Sequence, residues 1–133
     1  MFYTDVAFDK EGVISSIKIR AIDDCGAYPG RGPFQLGKPI AAIVGPYRIN
    51  SVQYQPCSVS TNKTGQVPVR GMGQAPTNFM IETAVDNVAA HLDMDRLEIR
   101  RRHLIRSDEF PYKKPNGTKN DTGDYDTGLD KAC

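Results

Sequence analysis

The sequence predicts an α+β fold: an antiparallel or mixed sheet of about four strands packed on two main helices. Three patterns carry that expectation. Residues 2–8 and 13–23 alternate about a glycine-bearing turn, Ile81 to Leu92 repeats with a helical period, and glycines and prolines punctuate the stretches between them. The 133 residues suffice for one domain and fall short of two. They divide into a β-rich part (1–69), a glycine loop with helices (70–106), and a polar arm that runs into the start of a last helix (107–133).

In the first part, Phe2, Thr4, Val6 and Phe8 alternate with Tyr3, Asp5 and Ala7, and Ile17, Ile19 and Ala21 share one face of the following stretch. With Asp9 to Gly12 as the turn, the two make a β-hairpin. Residues 25–39 are rich in Gly and Pro and read as a loop that ends near an apolar run, Ile40 to Val44, before the breaker Gly45-Pro46. From Tyr47 to Asn62 alternation returns, as one or two strands bent at Pro56.

The Arg70 to Pro76 loop then leads into a helix over 77–92, with Ile81, Ala84, Val85, Val88 and Leu92 on its apolar stripe. Pro76 suits the first turn, where its missing N–H costs nothing. Asp93 is placed to cap a second helix over 94–105. Ser107 to Gly123 is a polar arm, and Asp124 can cap a helix that begins near Tyr125 and is cut short at Cys133, as in a fragment or a chain docked on others.

Composition excludes several classes. Seventeen basic against 16 acidic residues lack the basic excess of a dedicated nucleic-acid binder. No apolar run approaches the roughly 20 residues that cross a bilayer, and the opening residues lack the pattern of a secretory signal. Cys25, Cys57 and Cys133 are too few and too widely spaced for a disulfide framework or a zinc site, as expected of reduced thiols in a cytoplasmic protein. His91 and His103 fall in helices without a nucleophile motif.

Three segments can carry chemistry. In Arg70-Gly71-Met72-Gly73-Gln74, two glycines let the backbone turn sharply and approach a ligand. The helix behind them points amide hydrogens and the positive end of its dipole at the turn, which favours a phosphate, an oxyanion or a metal-oxo group. Position 76 is Pro, so the loop is no dinucleotide fingerprint. The arginines at 96, 100, 101, 102 and 106 could form a ridge for nucleic acid or an acidic partner, a non-catalytic interaction module over 96–106, or else cover apolar surface with their stems. Asp121, Asp124, Asp126 and Asp130 lack the spacing of a calcium loop and suit capping and solvation.

Taken in order, these segments resemble one family. Asp24-Cys25-Gly26-Ala27-Tyr28, Gly45-Pro46-Tyr47-Arg48-Ile49, Val69-Arg70-Gly71-Met72-Gly73, the helix Glu82 to Asp93, the arginine-rich run Asp95 to Ile105, Phe110-Pro111-Tyr112 and Thr122-Gly123-Asp124-Tyr125 follow one another as they do in that family. It is the molybdenum-cofactor-binding large subunit of the xanthine dehydrogenase, aldehyde oxidase and carbon monoxide dehydrogenase enzymes. The resemblance runs from Asp23 to Ala132 and implies a segment of a molybdopterin-binding domain.

It further implies an oxidoreductase that hydroxylates aldehydes or N-heterocycles, or oxidises carbon monoxide. Its cofactor is molybdenum on molybdopterin, in some members the cytosine dinucleotide form. Iron–sulfur clusters and FAD lie on partner subunits or domains. The expected partners are the rest of the molybdenum subunit, those electron-transfer subunits and a small-molecule substrate, with no nucleic acid and no membrane. Arg70, Gly71, Gly73 and Gln74 are the implied cofactor-binding residues, with the Arg70 N–H towards the metal's ligand sphere and Met72 bordering the substrate. The arginine helix is reassigned to packing and subunit contact. The family's catalytic glutamate lies far downstream, so no catalytic residue and no metal ligand is expected in this segment, which would be inactive alone.

Two departures bear on substrate. Met72 stands where many members have a stacking Phe, which disfavours flat purine stacking. Gly71 stands where carbon monoxide enzymes carry a copper-bound cysteine, which disfavours carbon monoxide. Lys38 falls near a position where purine-oxidising members have a substrate arginine, but the surrounding motif does not match and no role is assigned to it.

Overall fold

A computed structural model describes residues 1–133. Strands β1 (Phe2–Phe8) and β2 (Ile14–Asp24) form the expected hairpin, with Phe2 opposite Ala21, Val6 opposite Ile17 and a register shift between Ala7 and Phe8. Gly12, at φ 83°, makes the turn.

Strand β3 (Ser51–Val59) lies on the other side of β2 and runs parallel to it, from Ser16 opposite Ser51 to Asp24 opposite Val59. The main sheet is therefore mixed and has three strands, fewer than the expected four. The difference lies in the β2–β3 connection: residues 25–50 carry the chain back to the starting end of β2, as a parallel pair requires. Within that connection sit a single helical turn, α1 (Phe34–Gly37), and a tighter turn, Lys38–Ala42. β3 continues straight through Pro56, which its edge position tolerates.

Helix α2 (Gln74–His91) covers one face of this sheet. Ile14, Ile17 and Ile19 pack against Met80, Ile81, Ala84, Val85, Val88 and Ala89, and Ile43, Val44, Tyr47, Ile49, Ile99 and Leu104 complete the core. The run 40–44 thus enters the core as turns, not as a strand. α2 starts three residues earlier than its stripe predicts, because Gly71 to Gly73 already wind into it.

Helix α3 is Arg96–His103, and its cap is Asp95 in place of the expected Asp93. Asp93 adopts φ 52° and turns the chain. The Asp95 carboxylate accepts the amides of Leu97 and Glu98 at 2.8 and 3.0 Å, which holds its pKa below the usual carboxylate range.

The arm is more ordered than a loop: after a short turn at 107–109, β4 (Tyr112–Lys113) and β5 (Lys119–Asn120) form a separate ribbon. Its tip docks on the Lys38–Ala42 turn, with the Thr118 hydroxyl donating to the Ala41 carbonyl at 3.0 Å and Asn116 donating to that of Ile40. Asp124 caps α4 (Tyr125–Ala132) as expected. No helix is long and apolar enough to cross a membrane.

Candidate functional site

The glycine loop splits into two halves with different jobs. Gly71 takes φ 82°, and a Cβ there would point into open space. Gly73 takes φ 74° and is buried, and a Cβ there would collide with the Gln35 carbonyl oxygen and meet the Pro39 ring at 2.6 Å. Only Gly71 presents bare backbone outward; Gly73 is glycine because the loop presses against α1.

That contact is braced from below. Gln35 donates to Gln66 at 3.0 Å, and the Tyr54 hydroxyl of β3 donates to the Leu36 carbonyl at 2.7 Å. The sheet therefore holds α1, and α1 holds the loop.

At the head of α2, the Gln74 N–H donates to the Gly71 carbonyl at 2.9 Å, and the Thr77 hydroxyl donates to the Gly73 carbonyl at 2.7 Å. The helix has no side-chain N-cap and no acid in its first turn. Its positive end therefore stays uncompensated and suits an anionic, oxygen-rich group. Together with the bare turn at Gly71, this fits a cofactor that presents such oxygens.

Met72, half-buried, shares an open depression of about 620 Å³ with Arg31, Phe34, Gly37 and Lys38. Gln74 borders a smaller one of about 180 Å³, with Pro39, Ala42, Thr77 and Asn78. The five expected site residues thus stay together as one loop but face different ways: Arg70, Gly71 and Gln74 are exposed, Met72 looks to the larger depression, and Gly73 is packed. Sequence reasoning gave no role to Arg31, Phe34 or Lys38. The available signal was two cations and an aromatic ring in a long Gly/Pro-rich connection, the kind of segment that carries binding residues.

The arginine ridge is spent on carboxylates. Arg100 donates to Glu82 at 2.7 and 3.0 Å and to Asp86 at 2.7 Å, while Arg96, Arg101, Arg102 and Arg106 pair with Asp86, Asp130, Glu98 and Asp108. Burial works against the Arg100 charge, yet the Asp86 and Glu82 carboxylates outweigh it and raise its pKa. Tyr47, its pKa raised by burial and then by Glu82, donates to that same carboxylate at 2.8 Å. The helix is a packing element joined to α2, and Asp130 is used in an ion pair. No cluster of three or more His, Cys, Asp or Glu is arranged to hold a metal ion.

An α+β unit that offers a bare amide turn ahead of an uncapped helix is a surface suited to an anionic, oxygen-rich group. Residues 1–104 match the family model of the molybdopterin cofactor-binding domain, and the chain belongs to that family. It is 32% identical over 96 residues to a probable xanthine dehydrogenase subunit from Bacillus subtilis (strain 168), covering 72% of this chain and 13% of the relative. It is 32% identical over 137 residues to the carbon monoxide dehydrogenase large chain of Hydrogenophaga pseudoflava, covering 96% and 16%.

The crystal structure of quinoline 2-oxidoreductase from Pseudomonas putida 86 superposes with a TM-score of 0.85 at 29% identity, over 96% of this chain and 17% of that one. The resemblance drawn from the sequence is borne out, as is the α+β class. The chain spans 13 to 16% of the length of these curated relatives.

Proposed function

We propose that this chain is the part of a molybdenum hydroxylase that helps position the molybdopterin cofactor and a small-molecule substrate, an aldehyde or N-heterocycle, for oxidative hydroxylation. The single observation that carries the reading is the Arg70–Gln74 turn: bare backbone at Gly71, directly before a helix with no cap and no acid in its first turn, beside the depression that Met72 lines.

When bound, the cofactor supplies the oxidation itself. This chain's residues bind and orient. Arg70, Gly71 and Gln74 offer amide and side-chain donors to the cofactor, Gly73 fixes the turn against α1, and Met72 borders the substrate. Gly71 offers no thiol to a copper ion, which speaks against carbon monoxide as the substrate. The reading extends to an enzyme of the aldehyde oxidase or xanthine dehydrogenase type, inactive as this segment alone. It also extends to a cytosine dinucleotide form of the pterin, partner subunits with iron–sulfur clusters and FAD, and a cytoplasmic location.

The test is the complete enzyme purified with its partner chains. Molybdenum by elemental analysis and pterin by fluorescence are expected in the unaltered protein, and Gly71→Val is expected to lower both while the chain still folds. An unaltered enzyme free of molybdenum and pterin overturns the reading.

A further inference from the structure

The arm between α3 and α4 is tied to the rest of the chain at few points. Its root is pinned where Arg48 pairs with Glu109 at 3.3 Å. Beyond that root, residues 110–123 make two hydrogen bonds to residues 1–105, and both leave from the tip of the β4–β5 ribbon. The Asn116 side chain donates to the Ile40 carbonyl. The single hydrogen of the Thr118 hydroxyl is shared between the Ala41 carbonyl at 3.0 Å and Asn116 Oδ1 at 2.8 Å. One tip thus holds two successive carbonyls of the Lys38–Ala42 turn.

The tip is closed on itself, so these donors are aimed. The Gly117 N–H donates to the Lys114 carbonyl at 3.0 Å, the Lys114 N–H to the Thr118 carbonyl at 2.8 Å, and the Thr118 N–H to Asn116 Oδ1 at 3.1 Å. The turn they grip holds poorly by itself. It is a tight 3-10 turn of five residues, and Pro39 near its start has no N–H to give.

The other side of that turn meets the glycine loop. The Pro39 ring is buried and lies 2.6 Å from where a Cβ on Gly73 would stand. Pro39 and Ala42 also adjoin Gln74 and Thr77 at the head of α2. Gly73 is therefore held from two directions. The Gln35 carbonyl is steadied from the sheet through Tyr54 at Leu36. The Pro39 ring is steadied from the arm through Asn116 and Thr118.

We propose that Asn116 and Thr118 are positioning residues for the cofactor loop. The ribbon tip fixes the Lys38–Ala42 turn, the turn presses Pro39 on Gly73, and the bare backbone at Gly71 is thereby held in one place for the cofactor. This deepens the function proposed above and rests on it. Neither side chain touches the loop, and each acts through the turn. A bare amide turn binds by geometry, and a loop that wanders must first be ordered, which weakens binding.

The experiment uses the complete enzyme with its partner chains. Deuterium exchange, read by mass spectrometry, follows the amides of Gln74 and Thr77, which donate to the Gly71 and Gly73 carbonyls, against those of Val85 and Val88 in the middle of α2. Molybdenum and pterin per chain are measured on the same samples. Asn116→Asp keeps the oxygen that closes the tip and removes the donor to Ile40, and Thr118→Val keeps the shape and removes the hydroxyl. Each is expected to speed exchange at Gln74 and Thr77 about fivefold, the range of one lost hydrogen bond. Each is also expected to leave Val85 and Val88 unchanged and to lower molybdenum and pterin per chain. Thr118→Ser, which keeps the donor, is expected to match the unaltered enzyme in both.

Unchanged exchange at Gln74 and Thr77 in both variants overturns the proposal. So does exchange that rises equally at all four amides, which marks a general loss of stability, and so does a Thr118→Ser enzyme that behaves like Thr118→Val. Faster local exchange with full molybdenum and pterin overturns it as well, because the loop then holds the cofactor without the ribbon. An unaltered enzyme free of molybdenum sinks the parent reading, and the exchange rates, which need no cofactor, separate that failure from this one.

Discussion

The His103 ring accepts the backbone N–H of Ile14 on its Nε2 at 2.8 Å, which ties the end of α3 to the first residue of β2. A backbone amide can only donate, so Nε2 is unprotonated, and Nδ1 carries the hydrogen that it gives to the Ile99 carbonyl at 2.8 Å. Burial, ahead of the neighbouring charges of Arg48 and Arg102, pushes the His103 pKa below its ordinary value.

The unfolded chain therefore binds this proton more readily than the folded one. The stability it contributes is complete above about pH 6.5 and is lost as pH falls through that value towards the depressed pKa. Thermal unfolding between pH 8 and 5 is expected to show Tm falling through this range. His103→Ala is expected to flatten that dependence and to cost about 3 kcal/mol, from an orphaned Ile14 amide and a cavity.

Arg100 and Arg101 are neighbours in sequence and opposites in effect. The Arg100 side chain is 17% exposed and joins Glu82 and Asp86, and Glu82 also accepts the Tyr47 hydroxyl. Arg101 and Asp130 form an exposed pair. Arg100→Met is expected to cost about 2 kcal/mol in urea unfolding, below the range for a fully buried pair because Glu82 still reaches water. Arg101→Met is expected to leave the midpoint unchanged within error.

Helix α2 and the hairpin were legible because their signals are local: a stripe from Ile81 to Leu92, and alternation about Gly12. What the sequence left hidden depends on distant partners. The parallel pairing of β3 on β2 is settled by where residues 25–50 deliver the chain, not by anything in Ser51–Val59. Asp93 and Asp95 are equally good caps on paper, and only the left-handed backbone at Asp93 separates them. The two glycines of the loop look alike until Gln35 and Pro39, more than thirty residues upstream, arrive against one of them. Arg31 and Lys38 reach the site by the same tertiary route.

The cap assignment can be tested directly. Asp95→Ala removes the acceptor of the Leu97 and Glu98 amides and is expected to lower Tm by several degrees. Asp93→Gly relieves a positive φ at a non-glycine residue and is expected to leave Tm unchanged or raise it.

The division of labour in the loop predicts unequal costs for equal changes. Gly71→Ala adds a methyl group to open space and bears only the strain of φ 82°, about 1 kcal/mol. Gly73→Ala bears the same strain and drives its Cβ into the Gln35 carbonyl. That backbone is held by Tyr54 at Leu36 and cannot retreat cheaply. A loss of about 3 kcal/mol is expected from Gly73→Ala. Equal midpoints in urea for the two variants would remove the packing role assigned to Gly73.

Lys114 is 7% exposed and has neither an ion pair nor a side-chain hydrogen bond, and burial lowers its pKa. The ammonium has no protein partner, and burial of the residue disfavours its charged form, which weighs against the fold for as long as it stays protonated. For a base with a depressed pKa, the unfolded chain takes up the proton first. The penalty is thus complete at neutral pH and is relieved as pH rises through the depressed value towards about 10.5. Lys114→Met keeps the apolar stem and removes the charge, so it is expected to stabilise the chain by about 1 kcal/mol at pH 7. The gain is expected to shrink as pH rises towards about 10.5. Urea unfolding at pH 7 and at pH 9.5 checks both statements, and a variant less stable than the parent at neutral pH would mean that Lys114 holds a favourable contact.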